Sequence, residues 1–159
     1  MAADIKTKYG TNNQPITITL GSLANDAKRE STAINNTSNC FLAALVQLQV
    51  KTGSGTIGSN PVVNVYAYGT SDGGTTYSGE ATGSDAAYTG TLANCRLIGV
   101  ISCPASASTY KSEPMNVTNA FGGLPDKWGI VVENKTGLAL DSTEENHKKF
   151  YQGLLLQSV

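Results

Sequence analysis

Charge is the property that this sequence most lacks. Only 14% of its 159 residues are Asp, Glu, Lys or Arg, against about 25% in an average globular domain. Disordered chains combine low hydrophobicity with a high net charge, whereas this chain is 40% hydrophobic with a formal net charge of −1. The composition therefore indicates a folded domain, and its abundance of Thr, Val and Gly favours sheets and turns over a helical bundle.

The sequence also lacks a cluster of basic residues and a long apolar run. Its eleven Lys and Arg residues are scattered along the chain, whereas proteins that bind nucleic acids normally carry a basic stripe. No apolar run approaches the roughly 20 residues of a membrane span, and the first residues do not have the pattern of a signal peptide. We therefore predict no nucleic-acid partner, no membrane partner, and folding in the cytoplasm.

Residue types that carry catalysis or bind metals are scarce. The single histidine, His147, lies in the charged run ENHKK and is predicted to be exposed. The cysteines Cys40, Cys95 and Cys103 fit no zinc pattern. Cys40 and Cys103 border apolar runs, so they are predicted to be buried, and we expect no disulfide. We predict no catalytic, cofactor-binding or metal-binding residues, no cofactor, no small-molecule substrate and no enzymatic activity.

Two binding chemistries stay open on sequence alone. Asp72, Glu80 and Asp85 share a long polar loop and offer oxygen ligands for calcium, but their spacing does not match a calcium loop. A carbohydrate-binding module would carry exposed aromatic rings on one face of a sandwich. Four tyrosines are available for that purpose: Tyr66, Tyr68, Tyr77 and Tyr88. Trp128 alternates in phase with neighbouring apolar residues, which predicts a position in the core.

Hydrophobic periodicity predicts strands along most of the chain. The alternating or apolar segments are 16–20, 41–50, 62–68, 96–101, 127–133 and 150–159, with weaker candidates at 30–34, 109–117 and 138–140. Segment 96–101 is nearly all apolar and is predicted to be a central strand covered on both faces. Residues 134–137 are predicted to be a hairpin turn, and Ser142 to Glu145 has the spacing of a capping box, which predicts one helical turn near the C-terminus.

This rhythm of about eight strands predicts an all-β fold, a two-layer antiparallel β-sandwich that is jelly-roll-like. Residues 1–14 are polar and are predicted to be an extended N-terminal arm, which leaves 15–159 as a single sandwich domain. The loop 69–91 is dense in Gly and Thr, and loops of that length usually protrude or carry function. The arm and this loop are the candidates for contacts with partners.

Several segments resemble small virion proteins of tailed bacteriophages, of the capsid decoration or cement type. They are YAYGTSDGGTTYSG (66–79), RLIGVI (96–101), TYKSEPMNV (109–117), AFGGLPDKWGIVVENKTGLALD (120–141) and FYQGLLLQSV (150–159). The resembling strings contain no active-site signature, so the resemblance assigns no functional residues. It implies a protein that folds in the cytoplasm of the infected host and is then incorporated into the virion.

The function predicted from the residues and the resemblance is that of a non-enzymatic structural virion protein. It is expected to bind the major capsid protein on the outside of a phage shell and to stabilise the shell. Because low surface charge reduces repulsion between copies, we also expect a homo-oligomer, with a trimer as the first expectation. A head–tail or tail component of a phage is one alternative, and a carbohydrate-binding β-sandwich module is an alternative from another class.

Overall fold

The computed structural model describes residues 4–158, so residues 1–3 of the predicted arm and Val159 of the predicted last strand lie outside the described residues. The strands are β1 (Ile5–Tyr9), β2 (Gln14–Pro15), β3 (Lys28–Glu30), β4 (Ile34–Asn35), β5 (Ala43–Lys51), β6 (Val62–Thr70), β7 (Ala86–Ala87), β8 (Arg96–Ser102), β9 (Thr109–Lys111), β10 (Met115–Asn116), β11 (Lys127–Lys135) and β12 (Lys148–Ser158). Short 3₁₀ turns lie at Ser78–Glu80, Leu92–Asn94, Val117–Ala120 and Glu144–Asn146. No helix within 4–158 has the length and apolar character needed to cross a membrane.

The two antiparallel sheets have the strand order of a jelly roll. Sheet A runs from β1 and β2 through β12 and β5 to β9 and β10. Sheet B runs from β3 and β4 through β11 and β6 to β8, with β7 added beside β3. Because β1/β2, β3/β4 and β9/β10 each fill one strand position, four positions in each sheet make up the double Greek key. The predicted two-layer antiparallel sandwich is confirmed. About eight strands were predicted, and residues 4–158 form twelve, because several positions are filled by two short strands.

The core lies between the two sheets and is built from alternate residues of each strand. Its central side chains are Ala44, Val46, Leu48 and Val50 of β5, Val63, Val65 and Ala67 of β6, and Trp128, Ile130 and Val132 of β11. The rings of Trp128 and Tyr151 pack edge to face with their centroids 5.3 Å apart. This contact joins β11 of sheet B to β12 of sheet A, and it confirms the predicted core position of Trp128.

The alternating segment 16–20 is extended but is not a strand of either sheet. Ile16, Ile18 and Leu20 are buried and the threonines between them are exposed, so the predicted inward face is correct. The segment crosses from β2 in sheet A to β3 in sheet B. At the end of this segment, the backbone N–H of Leu20 donates to the Glu144 carboxylate at 2.9 Å. The side chain thus provides the acceptor that a neighbouring strand would provide within a sheet.

The N-terminal segment is extended, as predicted, but residues 5–9 are a strand of sheet A and not a free arm. Ile5 lies opposite Ser158 and Tyr9 lies opposite Leu154, and Gln14–Pro15 pair with β12 further along. The prediction of an arm outside the packed fold is therefore corrected for the described part of the segment. Every side chain of β1 is exposed, so the segment has no buried face that its sequence pattern would show.

Strand β8 lies at the edge of sheet B, so its predicted central position is wrong. Leu97 and Val100 are 53% and 51% exposed. The strand that is covered on both faces is β11, where Trp128 faces the core and Val131 faces a second hydrophobic cluster outside sheet B. A short apolar run does not reveal whether both of its faces are covered, because only the positions of the neighbouring strands decide that.

Two local turns also differ from the predictions. The turn predicted at 134–137 begins two residues later, because β11 continues to Lys135 and the chain bends at 136–138. The chain then does not pair back on β11, and Leu140 bridges Thr52 instead. The helical turn near the C-terminus is present as Glu144–Asn146, with Thr143 at its N-terminus and no side-chain cap. The capping box is therefore absent, and the Glu144 carboxylate bonds to the 16–20 segment as described above.

Removal of β12 is expected to unfold the protein, because β1, β2 and β5 all pair with it. A truncation that ends at Lys149 also removes Tyr151 from the core. By contrast, removal of residues 1–9 deletes, in its described part, only exposed side chains and the ladder hydrogen bonds of β1, so it should lower the free energy of unfolding by no more than about 2 kcal/mol.

Circular dichroism and thermal melts of both truncations, beside the full chain, check this expectation. A C-terminal truncation that melts like the full chain would show that β12 is not the strand that holds sheet A together.

Candidate interaction surfaces

His147 is buried with 2% of its surface exposed, so its predicted exposed position is wrong. Its Nδ1 atom accepts a hydrogen bond from the backbone N–H of Lys51 at 3.3 Å, and its Nε2 atom lies 2.9 Å from the carbonyl oxygen of Asp141. Because a carbonyl oxygen only accepts, the tautomer with the proton on Nε2 satisfies both bonds. The imidazole thus links the end of β5 to the segment that precedes β12.

The three cysteines are free thiols in different surroundings. Cys95 and Cys103 are buried, and burial raises the pKa of Cys103 to about 11. Cys40 is exposed, so the prediction of a buried thiol is confirmed for Cys103 and wrong for Cys40. Cys40 lies in the turn before β5 with a φ of 49°, and this turn lifts it away from the core that the following residues enter.

The loop carboxylates considered for calcium do not converge on a common site. Hydrogen bonds from the hydroxyl groups of Thr70 and Thr76 hold the pKa of Asp72 well below its usual value. Asp85 instead forms an ion pair with Arg29 at 2.5 Å, and Glu80 is exposed. Within the described range 4–158, no group of three or more His, Cys, Asp or Glu residues is arranged to hold a metal ion.

The tyrosines considered for sugar binding form a second hydrophobic cluster on the outer side of sheet B. Tyr68 and Tyr88 are buried, together with Ala81, Cys95 and Val131. The Tyr68 hydroxyl donates to the carbonyl of Ser31 at 2.5 Å, and the Tyr68 and Tyr77 rings meet edge to face with centroids 5.5 Å apart. These rings pack the fold and do not form the exposed row that a carbohydrate-binding module would need.

The later part of the long loop 69–91 lies over that cluster, whereas residues 71–76 are mostly exposed. Its strand β7 pairs with β3. The carboxylate of Glu30, which is 1% exposed, accepts hydrogen bonds from the Thr82 N–H at 2.8 Å and the Thr82 hydroxyl at 2.9 Å. Burial acts to raise the pKa of Asp85, but hydrogen bonds from Arg29 and Thr19 outweigh it and leave the pKa lowered. Two carboxylates therefore fasten the loop onto sheet B.

The outer face of sheet A is open, in contrast to that of sheet B, as far as residues 4–158 are concerned. Two adjoining shallow cavities of about 260 and 280 Å³ lie on it and share Asn13, Gln47 and Phe150 in their linings. Lys111 and Lys148 line the far side of the second cavity. The middle of this face thus presents an aromatic ring among amides, with positive charge at one end.

The other end of sheet A continues as a two-stranded ribbon. Pairing of β12 with β5 ends at Leu154, and from there to Ser158 the strand β12 pairs with β1. Directly opposite residues of antiparallel strands share a face, so one face of the ribbon is uncharged. This ribbon face consists of Ile5, Thr7, Tyr9, Leu154, Leu156 and Ser158. The opposite face carries Lys6 and Lys8.

The apolar side chains of the ribbon face extend into solvent. Ile5 is 70% exposed, Tyr9 is 59% exposed and Leu156 is 54% exposed. Exposed apolar groups that adjoin one another mark interaction sites more often than isolated ones do. The ribbon face is therefore the first candidate interaction surface.

A second apolar patch lies on β8 and consists of Leu97 and Val100. Both residues face outwards from sheet B, opposite Tyr66 and Asn64 of β6. A side chain at Gly99 would collide with Met115 of β10, so β8 lies beside the β10 edge of sheet A. The β8 patch and the ribbon are therefore at opposite edges of the sandwich.

Comparison with known proteins gives no family for this chain. No family model matches the chain, and no curated protein or solved structure matches it significantly.

Of the two segments predicted to make contacts, the N-terminal segment supplies half of the ribbon and the loop 69–91 covers sheet B. Sequence reasoning missed the β8 patch, although the apolar run after Arg96 contained its signal.

Substitution of Glu30 by alanine is expected to destabilise the protein by about 1–3 kcal/mol, because it removes the charged acceptor of the hydrogen bonds from the Thr82 N–H and hydroxyl. Urea unfolding measures the loss, and limited proteolysis should show faster cleavage within residues 71–95. Glu113→Ala, which removes an exposed carboxylate, is the matched control. Equal stability of the two variants would contradict the anchoring role of Glu30.

One thiol is expected to react quickly in the native protein and three after denaturation without reductant. The fast thiol should be Cys40, because the thiolate is the reactive form and burial disfavours ionisation of the other two. Titration with a thiol reagent measures both counts, and Cys40→Ser should abolish the fast reaction. A single thiol in the denatured protein would reveal a disulfide and refute the prediction.

Proposed function

We propose that this chain is a non-enzymatic structural protein of a phage virion, which binds the major capsid protein on the outside of the shell and stabilises the shell. The observation that carries the proposal is the pair of exposed apolar surfaces, the ribbon face and the β8 patch, at opposite edges of one sandwich. A protein with two such surfaces is suited to holding two neighbours at once.

The mechanism would be binding alone. When one molecule contacts two shell subunits, or a shell subunit and another copy of itself, separating them requires both interfaces to break. Repetition of modest contacts over a symmetric shell then gives high overall avidity. The low charge of the chain favours dense packing because neighbouring copies repel one another weakly.

The burial of the histidine and of two of the three thiols agrees with a binding role. His147 and Cys103 are enclosed by the fold, and the tyrosines of the second cluster are packed inwards. Jelly rolls occur in both viral capsid proteins and lectins, so the fold alone does not decide between them. The inward tyrosines remove the observation that favoured the carbohydrate-binding alternative.

Quantitative mass spectrometry of purified particles tests the proposal. A decoration protein should be present in a number comparable with the shell subunits. A few copies per particle would contradict decoration and favour the head–tail or tail alternative. Complete absence from purified particles would overturn the virion assignment.

Substitution at the β8 patch provides a second test of the proposal. Leu97→Asp introduces a charge into an exposed apolar patch, and we expect it to lower the amount of protein on particles at least about tenfold if this patch binds the shell. Ser71→Asp places the same charge on an exposed loop position and should have no effect. Thermal melts of both variants establish that they are folded. Equal occupancy of both variants on particles would contradict a role for the β8 patch.

A further inference from the structure

We infer that the ribbon face is the surface through which copies of this chain bind one another. The inference concerns the protein in solution, and only its role in a virion rests on the proposed function. The first reason is the position of the ribbon. Residues 155–158 of β12 have left β5, and they pair with a strand whose side chains are all exposed.

A two-stranded ribbon is marginally stable in water unless something packs on it. The sandwich core does not reach this ribbon. Among residues 155–158 of β12, Leu155 is the most enclosed, and it is only half-buried. Ile5 is opposite Ser158 and Leu156 is opposite Thr7. These two pairs are neighbours on the ribbon face, so the side chains of Ile5 and Leu156 lie diagonally next to each other. A partner that covers this face would bury both side chains and hold the ribbon in place.

The charge distribution favours a second copy as that partner. The ribbon face contains only apolar residues, Thr7 and Ser158, and both lysines of β1 point to the other side. Two copies that meet through their ribbon faces therefore bring no like charges together. An acidic partner would be drawn to the face that carries Lys6 and Lys8, and not to this one.

Pairing of two β1 strands edge to edge is the other way in which copies could join here, and the lysines disfavour it. Directly opposite residues in antiparallel pairing share a face. Any antiparallel register that keeps both ribbon faces on one side and overlaps three or more residues of β1 places a lysine of one copy opposite a lysine of the other. Like charges in that position are destabilising, so the copies are expected to pack face to face.

The ribbon is too small to form the whole interface. Five residues on two strands cover about 17 Å by 10 Å, whereas a stable interface buries about 800 Å² on each partner. The contact must therefore continue onto the outer face of sheet A, over Leu45 and Phe150. It should end before Lys111 and Lys148, where two copies would bring positive charges together.

Light scattering coupled to size-exclusion chromatography tests the inference at high micromolar concentration. The full chain should elute as a dimer, because a contact that uses the same patch on both copies has two-fold symmetry. The trimer expected from the sequence would instead need a contact between two different patches. The double variant Ile5→Ser with Leu156→Ser should dissociate to monomer or weaken self-association at least about tenfold. The matched control is Lys6→Arg with Lys8→Arg, which changes two exposed side chains on the opposite face of the ribbon, keeps the charges that oppose edge-to-edge pairing, and should leave the mass unchanged.

A cross-linking measurement keeps the test decisive if the double variant fails to fold. In a Cys40→Ser background, Thr7→Cys places a thiol on the ribbon face and Lys6→Cys places one on the other face. A short bis-maleimide should join two copies through the first position and not through the second. Cross-linking through both positions equally, or through the second alone, would overturn the face-to-face arrangement.

A full chain that is monomeric at high micromolar concentration would also overturn the inference, as would a greater loss of self-association in the lysine pair than in the apolar pair. Particle copy number is measured separately. Monomeric protein that is abundant on particles would refute this inference alone, whereas an oligomer that is absent from particles would refute only the proposed function.

Discussion

The hydrogen bonds that β12 makes on both of its edges are the interaction on which the rest of the structure depends. On one edge β12 pairs with β5, which contributes four inward side chains to the core, and on the other it pairs with β1 and β2. Tyr151 of the same strand packs on Trp128 of sheet B. Because β12 extends four residues beyond its pairing with β5, the strand that closes the core also produces the exposed ribbon.

The two sheets differ in what covers their outer faces, and buried polar groups cause the difference. On sheet B, Glu30 and Asp85 hold the loop 69–91 in place through bonds to Thr82 and Arg29. A buried carboxylate is costly unless it is fully hydrogen-bonded, so Glu30 and the loop require each other. Sheet A has no such cover within the described residues, and its outer face therefore stays available to a partner.

Periodicity was sufficient to predict the strands whose two faces differ. Strands β5 and β11 have the predicted inward residues, and the order of sheet positions is the predicted jelly roll. The exception is Leu42, which was expected to face the core but lies just before β5 and is 53% exposed. Periodicity failed where tertiary position decides the outcome. The apolar run of β8 is at an edge, the polar run of β1 is in a sheet, and His147 is buried because two backbone groups need its ring nitrogens. The two candidate surfaces, the ribbon face and the β8 patch, lie on these same strands, β1 and β8. The sequence therefore indicated a contact role for the N-terminal segment and not for β8.

The placement of the lysines on β1 bears on how assembly stays finite. An exposed edge strand is a template for unlimited pairing with other chains, and lysines on such an edge oppose that pairing. In this chain they occupy every position of β1 that faces away from the ribbon face. Edge-to-edge growth is thus disfavoured while face-to-face packing is not. A contact that uses the same patch on each copy closes on itself as a two-fold pair. Self-association through the ribbon face, as inferred above, would therefore stop at a closed pair and would not grow into a fibre.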